Sequence, residues 1–181
     1  KNTDLGFVST LAGLKESPKG LAYGTIKFSG FLDNPSVKGH LTFNKISYGE
    51  INLSSFKSSF IINSIQETRH GSLSAETGNS MFGDINIDDS SLNLCFMGDT
   101  ILIANASASS DKQYIRLSGK ILGFNTIQID QIQSTLNDQF ISNLEPFSIY
   151  HYQGRTKFGP AFLKINEGSL ETNLELQNGL L

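Results

Sequence analysis

Three histidines are the residues whose side chains could most readily bind a metal ion or move a proton. His40, His70 and His151 lie far apart in the chain, and none has a Cys or a second His at the spacing that metal sites use. His151 stands between Tyr150 and Tyr152, a pattern typical of a strand with aromatic neighbours. We therefore expect surface or turn positions for all three histidines, and the sequence predicts no metal site.

A cluster of carboxylates suggests a different chemistry, the binding of calcium. Asp84, Asp88 and Asp89 lie close together around Ile85 and Ile87. Their spacing fits neither the EF-hand loop nor the glycine-rich calcium repeat. The sequence therefore favours solvated carboxylates in a turn over a cation site.

Cys95 is the only cysteine, which excludes an internal disulfide and a cysteine-based zinc site. It alternates with Leu94 and Phe96, so its side chain is expected on the opposite side of a strand. No neighbour in the sequence would activate the thiol, and the motifs of serine hydrolases, zinc peptidases and nucleotide-binding loops do not occur. We expect a buried or half-exposed unpaired thiol, no catalytic set, no enzyme activity and no cofactor.

Composition narrows the class of protein further. The 181 residues carry 14 basic and 17 acidic side chains, a net charge of −3, which argues against a nucleic-acid partner because such domains are usually basic. No stretch approaches the roughly 20 apolar residues that a membrane-spanning helix needs. The chain starts at Lys1 without an initiator Met and ends without a polar tail. We expect residues 1–181 to be a single segment of a much longer protein.

Apolar residues recur at every second position along most of the chain. Between them stand mainly small or charged polar residues, so each strand is expected to have one apolar and one polar face. The positions assigned to the apolar side are Ile26, Phe28, Val37, Leu41, Phe43, Ile51, Leu53, Phe60, Ile62, Ile85, Ile87, Leu92, Leu94, Phe96, Ile115, Leu117, Ile127, Ile129, Leu163, Ile165, Leu174 and Leu176.

Turn-forming residues interrupt this alternation at intervals of about 8–12 residues. Among them are Asp33-Asn34-Pro35, Asn44-Lys45, Tyr48-Gly49-Glu50, Gly98-Asp99 and Asn166-Glu167-Gly168. The pattern predicts an antiparallel all-β chain with on the order of a dozen strands.

Two stretches compete for a helix. Leu5–Leu14 has a passable helical spacing but contains two glycines. Gln131–Leu144 has a four-residue apolar step, although a strand followed by a loop fits nearly as well. The residues of that step are Ile132, Leu136, Phe140 and Leu144. The expected fold is all-β with at most one short helix.

A sheet with one apolar face must cover that face by folding into a sandwich, closing into a barrel or curling around a ligand. The patterns alone favour an ordinary sandwich core. The chain has no Trp to anchor a sandwich core, however. The apolar positions are nearly all Ile, Leu and Phe and carry no charge, so the face suits hydrocarbon as well as it suits a second sheet.

A strand ending in Ser29-Gly30 leads through Leu32 and the turn Asn34-Pro35 to Gly39 and the next alternating strand. This arrangement, within Gly24–Phe43, resembles the recurring module of the TamB and wider AsmA-like family. The apolar stretch Leu5–Leu14 is similar to the segment that often precedes the module, and Glu167–Leu176 is similar to the family's later strands.

The resemblance implies an antiparallel sheet curled into an elongated open groove, a β-taco, with an apolar interior lined by the positions named above. It implies a periplasmic location within a parent protein anchored in the inner membrane. Such a groove is expected to shelter acyl chains of phospholipid or another lipid during transport between the inner and outer membranes. An outer-membrane barrel protein is the further partner that the resemblance implies, through outer-membrane protein assembly.

Two other functions stay open. In an extracellular β-solenoid or adhesin-like segment, the same Ile and Leu positions would stack in a dry interior. A carbohydrate-binding or hydrolytic β-sandwich would instead need exposed aromatic side chains and a carboxylate pair. The tyrosines available for that role are Tyr23, Tyr48, Tyr114, Tyr150 and Tyr152.

Overall fold

The structure is a computed structural model that describes residues 3–4, 19–66, 68–111, 113–123 and 125–177. All regular secondary structure in these residues is β-strand. The strands are β1 (Thr3–Asp4), β2 (Lys19–Phe31), β3 (Asn34–Tyr48), β4 (Ile51–Asn63), β5 (His70–Thr77), β6 (Ser80–Phe82), β7 (Ile85–Ile87), β8 (Asp89–Met97), β9 (Thr100–Ser110), β10 (Gln113–Leu122), β11 (Thr126–Leu136), β12 (Gln139–Asn143), β13 (Phe147–Tyr152), β14 (Arg155–Ile165) and β15 (Gly168–Gln177).

These strands form one antiparallel sheet of 15 strands. The main path runs β1-β2-β3-β4-β5-β8-β9-β10-β11-β12-β14-β13, and β15 pairs with β14. The short β6 pairs with β4 and β7. Because most strands pair with their neighbours in sequence, the sheet is largely a meander, as the short turns predict. The expectation of an all-β fold with an antiparallel sheet curled into a groove is confirmed.

The helical option for Gln131–Leu144 is wrong. The segment forms the end of β11, a two-residue turn and β12. Asn137 and Asp138 in that turn have φ values of +50° and +61°. Both residue types tolerate this left-handed conformation, which the primed hairpin turns require and an α-helix excludes. The other helical option, Leu5–Leu14, lies outside the described residues.

Asn44-Lys45 is not a turn, contrary to the sequence prediction. Strand β3 runs through both residues, and Lys45 has a φ of +51° within the strand. The pairing of β2 with β3 shifts register next to this point, between Lys19 and Leu21. The polar pair therefore marks an irregularity in a long strand, and the chain reverses only at Gly49 and Glu50.

The sheet is a single layer over the described residues. Only Ala75, Ile103, Ile129, Phe147 and Ala161 are buried apolar side chains there. A sandwich of similar size would bury one whole face of each sheet against the other. The small core is confined to one part of the sheet, where Ile129, Phe147 and Ala161 cluster.

Extra residues in alternate strands bend the sheet along a line that we call the crease. In β9, Ala104 has no partner, because Asn93 pairs with Asn105 whereas Leu94 pairs with Ile103. In β11, Asp130 is the extra residue opposite β10. Because a bulge bends its strand and increases the local twist, adjacent bulges curl a sheet.

The crease continues through the last strands. The pairing of β14 with β15 shifts between Phe158 and Ala161. Between β12 and β13 the backbone stops pairing with β11, and the Asn143 side chain makes hydrogen bonds to β11 in its place. Its Oδ1 accepts a hydrogen bond from the backbone N–H of Ile132 at 2.8 Å, and its Nδ2 donates to the carbonyl oxygen of Asp130 at 3.0 Å. The second half of the sheet is therefore the curled half.

Candidate functional site

Directly paired residues form rows that cross the sheet, and four rows make up its apolar face. The first row is Phe28, Val37, Ile62, Gly71, Phe96, Ile101, Ile121, Ile127, Ile149, Phe158 and Leu174. The second row is Ile26, Gly39, Phe60, Leu73, Leu94, Ile103, Gly119, Ile129 and Phe147.

The other two rows contain more small residues. The third row is Gly24, Leu41, Ser58, Ala75, Leu92, Ala106, Leu117 and Ile132. The fourth row is Ala22, Phe43, Phe56, Thr77, Ser90, Ala108, Ile115, Ser134, Ile141, Ile165 and Gly168.

No charged residue occurs in any of the four rows. The first row crosses eleven strands, which at about 4.8 Å per strand is a path of about 48 Å. Four rows, two residues apart along the strands without bulges, give the face a width of about 20 Å. The face is therefore long and wide enough to hold extended hydrocarbon lying across the strands.

Most of the apolar positions predicted from the sequence lie in these rows. Leu163 and Leu176, which are not row members, belong to the same sheet region: Leu163 packs against the core cluster, and Leu176 follows Leu174 at the same alternation. The sequence placed all of these positions on one side of their strands, and the register brings them together on one face.

Four predicted positions are an exception. Ile51 pairs with Phe82, which pairs with Ile85, and Leu53 is joined to Ile87 through Ser80. These residues form a three-stranded extension beyond the main rows. Ile51 and Leu53 are out of phase with Phe56 of the fourth row on the same strand, so the prediction of one common face is wrong for Ile51, Leu53, Ile85 and Ile87.

Burial along the second apolar row rises from β2 to β13. In the second row the exposed fraction falls from 47% at Ile26 to 8% at Ile103, 5% at Ile129 and 6% at Phe147. Phe28 on the first row is 74% exposed. Strands β9, β11 and β13 therefore cover their second-row side chains, whereas β2 and β15 leave apolar side chains uncovered, with Leu174 49% exposed.

A concavity on the apolar face lies between the open and curled parts. It has a volume of about 350 Å³ and is lined by Phe56, Ala75, Leu92, Ala106 and Ile115 among others. The volume falls within the range of small-molecule sites, although the concavity is an open depression in a sheet. The small side chains of Ala75 and Ala106 make room between larger neighbours, so the face has a hollow as well as an area.

Several apolar-face residues were not predicted as groove positions. Leu73 and Phe158 have only Ser, Lys or Gly as immediate neighbours, and Phe147 starts a short alternation with Ile149, so alternation alone gives too little signal. Phe147 and Phe158 have ring centroids 5.0 Å apart, and both belong to the curled part. Pro146 and the end of β12 interrupt the apolar pattern just before Phe147. The contact between Phe147 and Phe158 therefore cannot be predicted without the register of the strands.

The three histidines do not lie together in the fold. His40, His70 and His151 are exposed on different strands, and the Nδ1 atoms of His70 and His151 hydrogen bond to Thr68 O and Thr156 Oγ1. Within the described ranges there is no group of three or more His, Cys, Asp or Glu residues that could hold a metal ion.

The Asp84–Asp89 segment contains the end of a turn, the short strand β7 and the first residue of β8. Asp84 and Asp89 are exposed, and Asp88 accepts hydrogen bonds from Asn86 Nδ2 and from the backbone N–H of Asp111. Asp88 therefore links this segment to Asp111 just after the end of β9, whereas Asp84 and Asp89 are solvated, as the sequence predicts for turn carboxylates. Cys95 is a free, half-buried thiol paired in register with Ser72 and Leu102, on the face opposite Leu94.

Comparison with protein-family models, with curated proteins and with solved structures finds no match to this chain. In the part of the chain that the structure describes, no helix is long and apolar enough to cross a membrane.

Proposed function

We propose that this chain is a non-enzymatic, lipid-accommodating segment, in which the four apolar rows shelter acyl chains during transport between membranes. The observation that carries the proposal is a continuous apolar face, free of charge over eleven strands, whose side chains remain exposed on β2 and on β15. A charge on this path would meet hydrocarbon without water, at a cost of several kcal/mol.

Hydrocarbon is a suitable occupant on energetic grounds. Each buried CH₂ group contributes about 0.8 kcal/mol, so ten methylenes lying on the face contribute about 8 kcal/mol. Exposed side chains such as those of Ile26 and Phe28 gain the same burial from the contact. The face needs only shape and continuity for this role, since moving a lipid along a groove requires no reacting group.

The proposal includes a place in the cell. The module within Gly24–Phe43 resembles the TamB and AsmA-like family, and on that basis we place the chain in the periplasm, within a parent protein anchored in the inner membrane. Phospholipid is the proposed cargo, and an outer-membrane barrel protein is the proposed partner of the parent.

The single-layer sheet favours this function over the two alternatives. A solenoid would bury the Ile and Leu positions in a dry interior, whereas Ile26, Ile115 and Leu174 of the apolar rows are exposed. A sandwich would cover the apolar face with a second sheet, and the described strands belong to one sheet.

The test uses two adjacent residues that face opposite sides of β9. Ile101 belongs to the first apolar row, whereas Leu102 pairs with Cys95 and Lys120 on the polar face. A photoreactive benzophenone residue is introduced at each position in turn, the chain is purified from bacteria, and lipid adducts are detected by mass spectrometry after illumination. We expect lipid adducts at position 101 and few at position 102. Equal labelling, or no adduct at position 101, contradicts the proposal.

A further inference from the structure

A second concavity lies on the polar face, behind the second apolar row. It has a volume of about 690 Å³ and is formed by β2, β3, β4, β5 and β8. Its lining includes Gly39, Phe60, Leu73 and Leu94 of the second row, together with residues of two polar-face rows. The side chains from these rows are Thr25, Lys27, Lys38, His40, Ser59, Ile61, Ser72, Ser74, Asn93 and Cys95.

The charge of this polar-face concavity is opposite to the charge of the chain. The lining contains two lysines, a histidine and no carboxylate, although the whole chain has a net charge of −3. Strands β2, β3 and β4 together contain five lysines and no Asp or Glu. The positive charge is therefore concentrated on the three strands that form one side of the concavity.

Lys27 and Lys38 are directly paired across β2 and β3. Like charges at directly opposite positions are destabilising, because their Cβ atoms lie about 5 Å apart. Among the described residues the only ion pair is Arg155 with Glu175, so neither lysine is neutralised by a described carboxylate. An anion held between the two ammonium groups would remove this repulsion.

Hydroxyl and amide groups extend the site away from the lysines. Thr25 pairs with His40, His40 with Ser59, Ser59 with Ser74, and Ser74 with Asn93. This unbroken polar row offers hydrogen-bond donors beside the two lysines. Ile61, exposed and directly paired with Lys38, adds apolar surface next to the charge.

We infer that the polar-face concavity binds the phosphate group of a phosphoester, with Lys27 and Lys38 as its charged donors. The ammonium groups supply charge-assisted hydrogen bonds, and the polar row supplies neutral ones to the remaining phosphate oxygens. Ile61 contacts the carbon attached to the ester oxygen. The phosphoester is either a soluble one or the headgroup of an anionic phospholipid, which share this chemistry.

The test compares two variants that remove the same charge from the same face. K27Q/K38Q removes the paired lysines, and K57Q/K120Q removes two lysines that lie outside the polar-face concavity. The 181-residue chain is titrated with glycerol 3-phosphate, followed by NMR amide shifts, and with vesicles of phosphatidylglycerol or of phosphatidylcholine, followed by sedimentation. Circular dichroism checks that both variants keep the strand content of the parent chain.

We expect binding of the phosphoester or the phosphatidylglycerol vesicles to fall at least about tenfold in K27Q/K38Q and less than about twofold in K57Q/K120Q, because each charge-assisted bond is worth more than 1 kcal/mol. Binding of glycerol 3-phosphate indicates a soluble ligand, and binding of phosphatidylglycerol vesicles alone indicates a headgroup. Equal losses in the two variants, equal binding to phosphatidylcholine, or no binding of either probe would overturn the inference. Because this site and the apolar rows lie on opposite faces, any of these results leaves the acyl-chain proposal intact.

Discussion

The ring of Phe60 lies against Gly39, its directly paired neighbour on β3. The ring atom Cζ is 3.0 Å from the position that a Cβ atom would take on Gly39, and that Cβ would also overlap the carbonyl oxygen of Thr25. Covering a strand glycine with a cross-strand aromatic ring is a known way to compensate for its missing side chain. The absence of a side chain at Gly39 therefore allows the close approach of Phe60.

Gly39→Ala should therefore destabilise the sheet, although alanine suits a strand better than glycine elsewhere. We expect a loss of about 1–3 kcal/mol in the free energy of unfolding, because the added methyl group meets backbone as well as the ring. Gly168→Ala is the control: its Cβ would meet only the carbonyl oxygen of Ile165 at 3.5 Å, an ordinary contact. Urea unfolding measures both, and equal stabilities of the two variants would show that Gly39 has room for a side chain.

The Asn143 side chain replaces strand backbone at the break between β12 and β13. Besides its bonds to Ile132 and Asp130, its Nδ2 donates to the carbonyl oxygen of Glu145 at 2.9 Å. Asn143→Ala removes all three bonds and leaves partly buried backbone groups unpaired. We expect a loss of about 2 kcal/mol or more in the free energy of unfolding. Ser142→Ala, at the preceding position of the same strand, should change the free energy of unfolding by less than about 0.5 kcal/mol in a urea titration. A smaller loss for Asn143→Ala than for Ser142→Ala would contradict this role.

The bulge at Asp130 explains why Ile129 and Ile132 share a face although they are three residues apart. Deleting Asp130 should restore regular alternation, keep both isoleucines on the apolar face and flatten the crease. Deleting Gln128 instead should turn Ile127 away from Ile129 and break the apolar row. We expect the Gln128 deletion to cost at least about 3 kcal/mol more than the Asp130 deletion, because it exposes core side chains and buries polar ones. Thermal and urea unfolding of the two deletions decide the point, and the reverse order of stabilities would rule out the bulge.

The three-residue step from Ile129 to Ile132 also illustrates how much of the fold could be predicted from the sequence. Period-two alternation identified the strands and most apolar-face residues, because one-sided burial imposes that period. The crease is also visible in the sequence, because successive residues of the apolar face are three positions apart instead of two at Ile103–Ala106, Ile129–Ile132 and Phe158–Ala161. An extra residue in a strand produces such a step, so these interruptions could have been read as bulges.

Other features needed the register of the sheet. The number of residues between Leu53 and Phe56 predicts that their side chains lie on opposite faces of the strand. The position of Leu53 outside the main rows, however, depends on which strands pair. The pairing of Lys27 with Lys38 follows from the turn between β2 and β3, whereas the polar row that extends from His40 to Asn93 involves four strands. Contacts between strands far apart in sequence are not specified by local patterns, so the polar-face concavity was missed.

Introducing a charge on the apolar face should block lipid without unfolding the sheet. Phe43 lies in the fourth row with its ring centroid 5.5 Å from that of Phe56, and Asn44, the next residue, is exposed on the polar face. In a chain carrying the photoreactive residue at position 101, Phe43→Arg should reduce lipid adducts several-fold because an ion in the groove loses its hydration. Asn44→Arg adds the same charge to the other face and should leave the adducts unchanged. Unchanged labelling in Phe43→Arg, with the strand content of the parent chain, would count against a continuous lipid path.

The difference in burial along the apolar face predicts which side chains stabilise the fold and which are free to contact a ligand. Phe147 is 6% exposed within the core cluster, whereas Phe28 is 74% exposed at the open end of the same face. Phe147→Ala should lower the free energy of unfolding by about 3–5 kcal/mol, since it empties a packed site. Phe28→Ala should change it by less than about 0.5 kcal/mol, because the side chain packs little in the folded chain.

The same two variants should rank in the opposite order when lipid is added. If hydrocarbon covers the open end, an acyl ligand stabilises the parent chain partly through Phe28, so Phe28→Ala should reduce the rise in unfolding temperature that the ligand causes. Phe147 is already covered by protein, and Phe147→Ala should keep that rise at a temperature where the variant is folded. Differential scanning calorimetry with and without a single-chain phospholipid below its micellar concentration measures both effects. A ligand-induced rise that is the same in Phe28→Ala as in the parent chain would mean that hydrocarbon does not reach β2, and the lipid path would then begin further into the sheet.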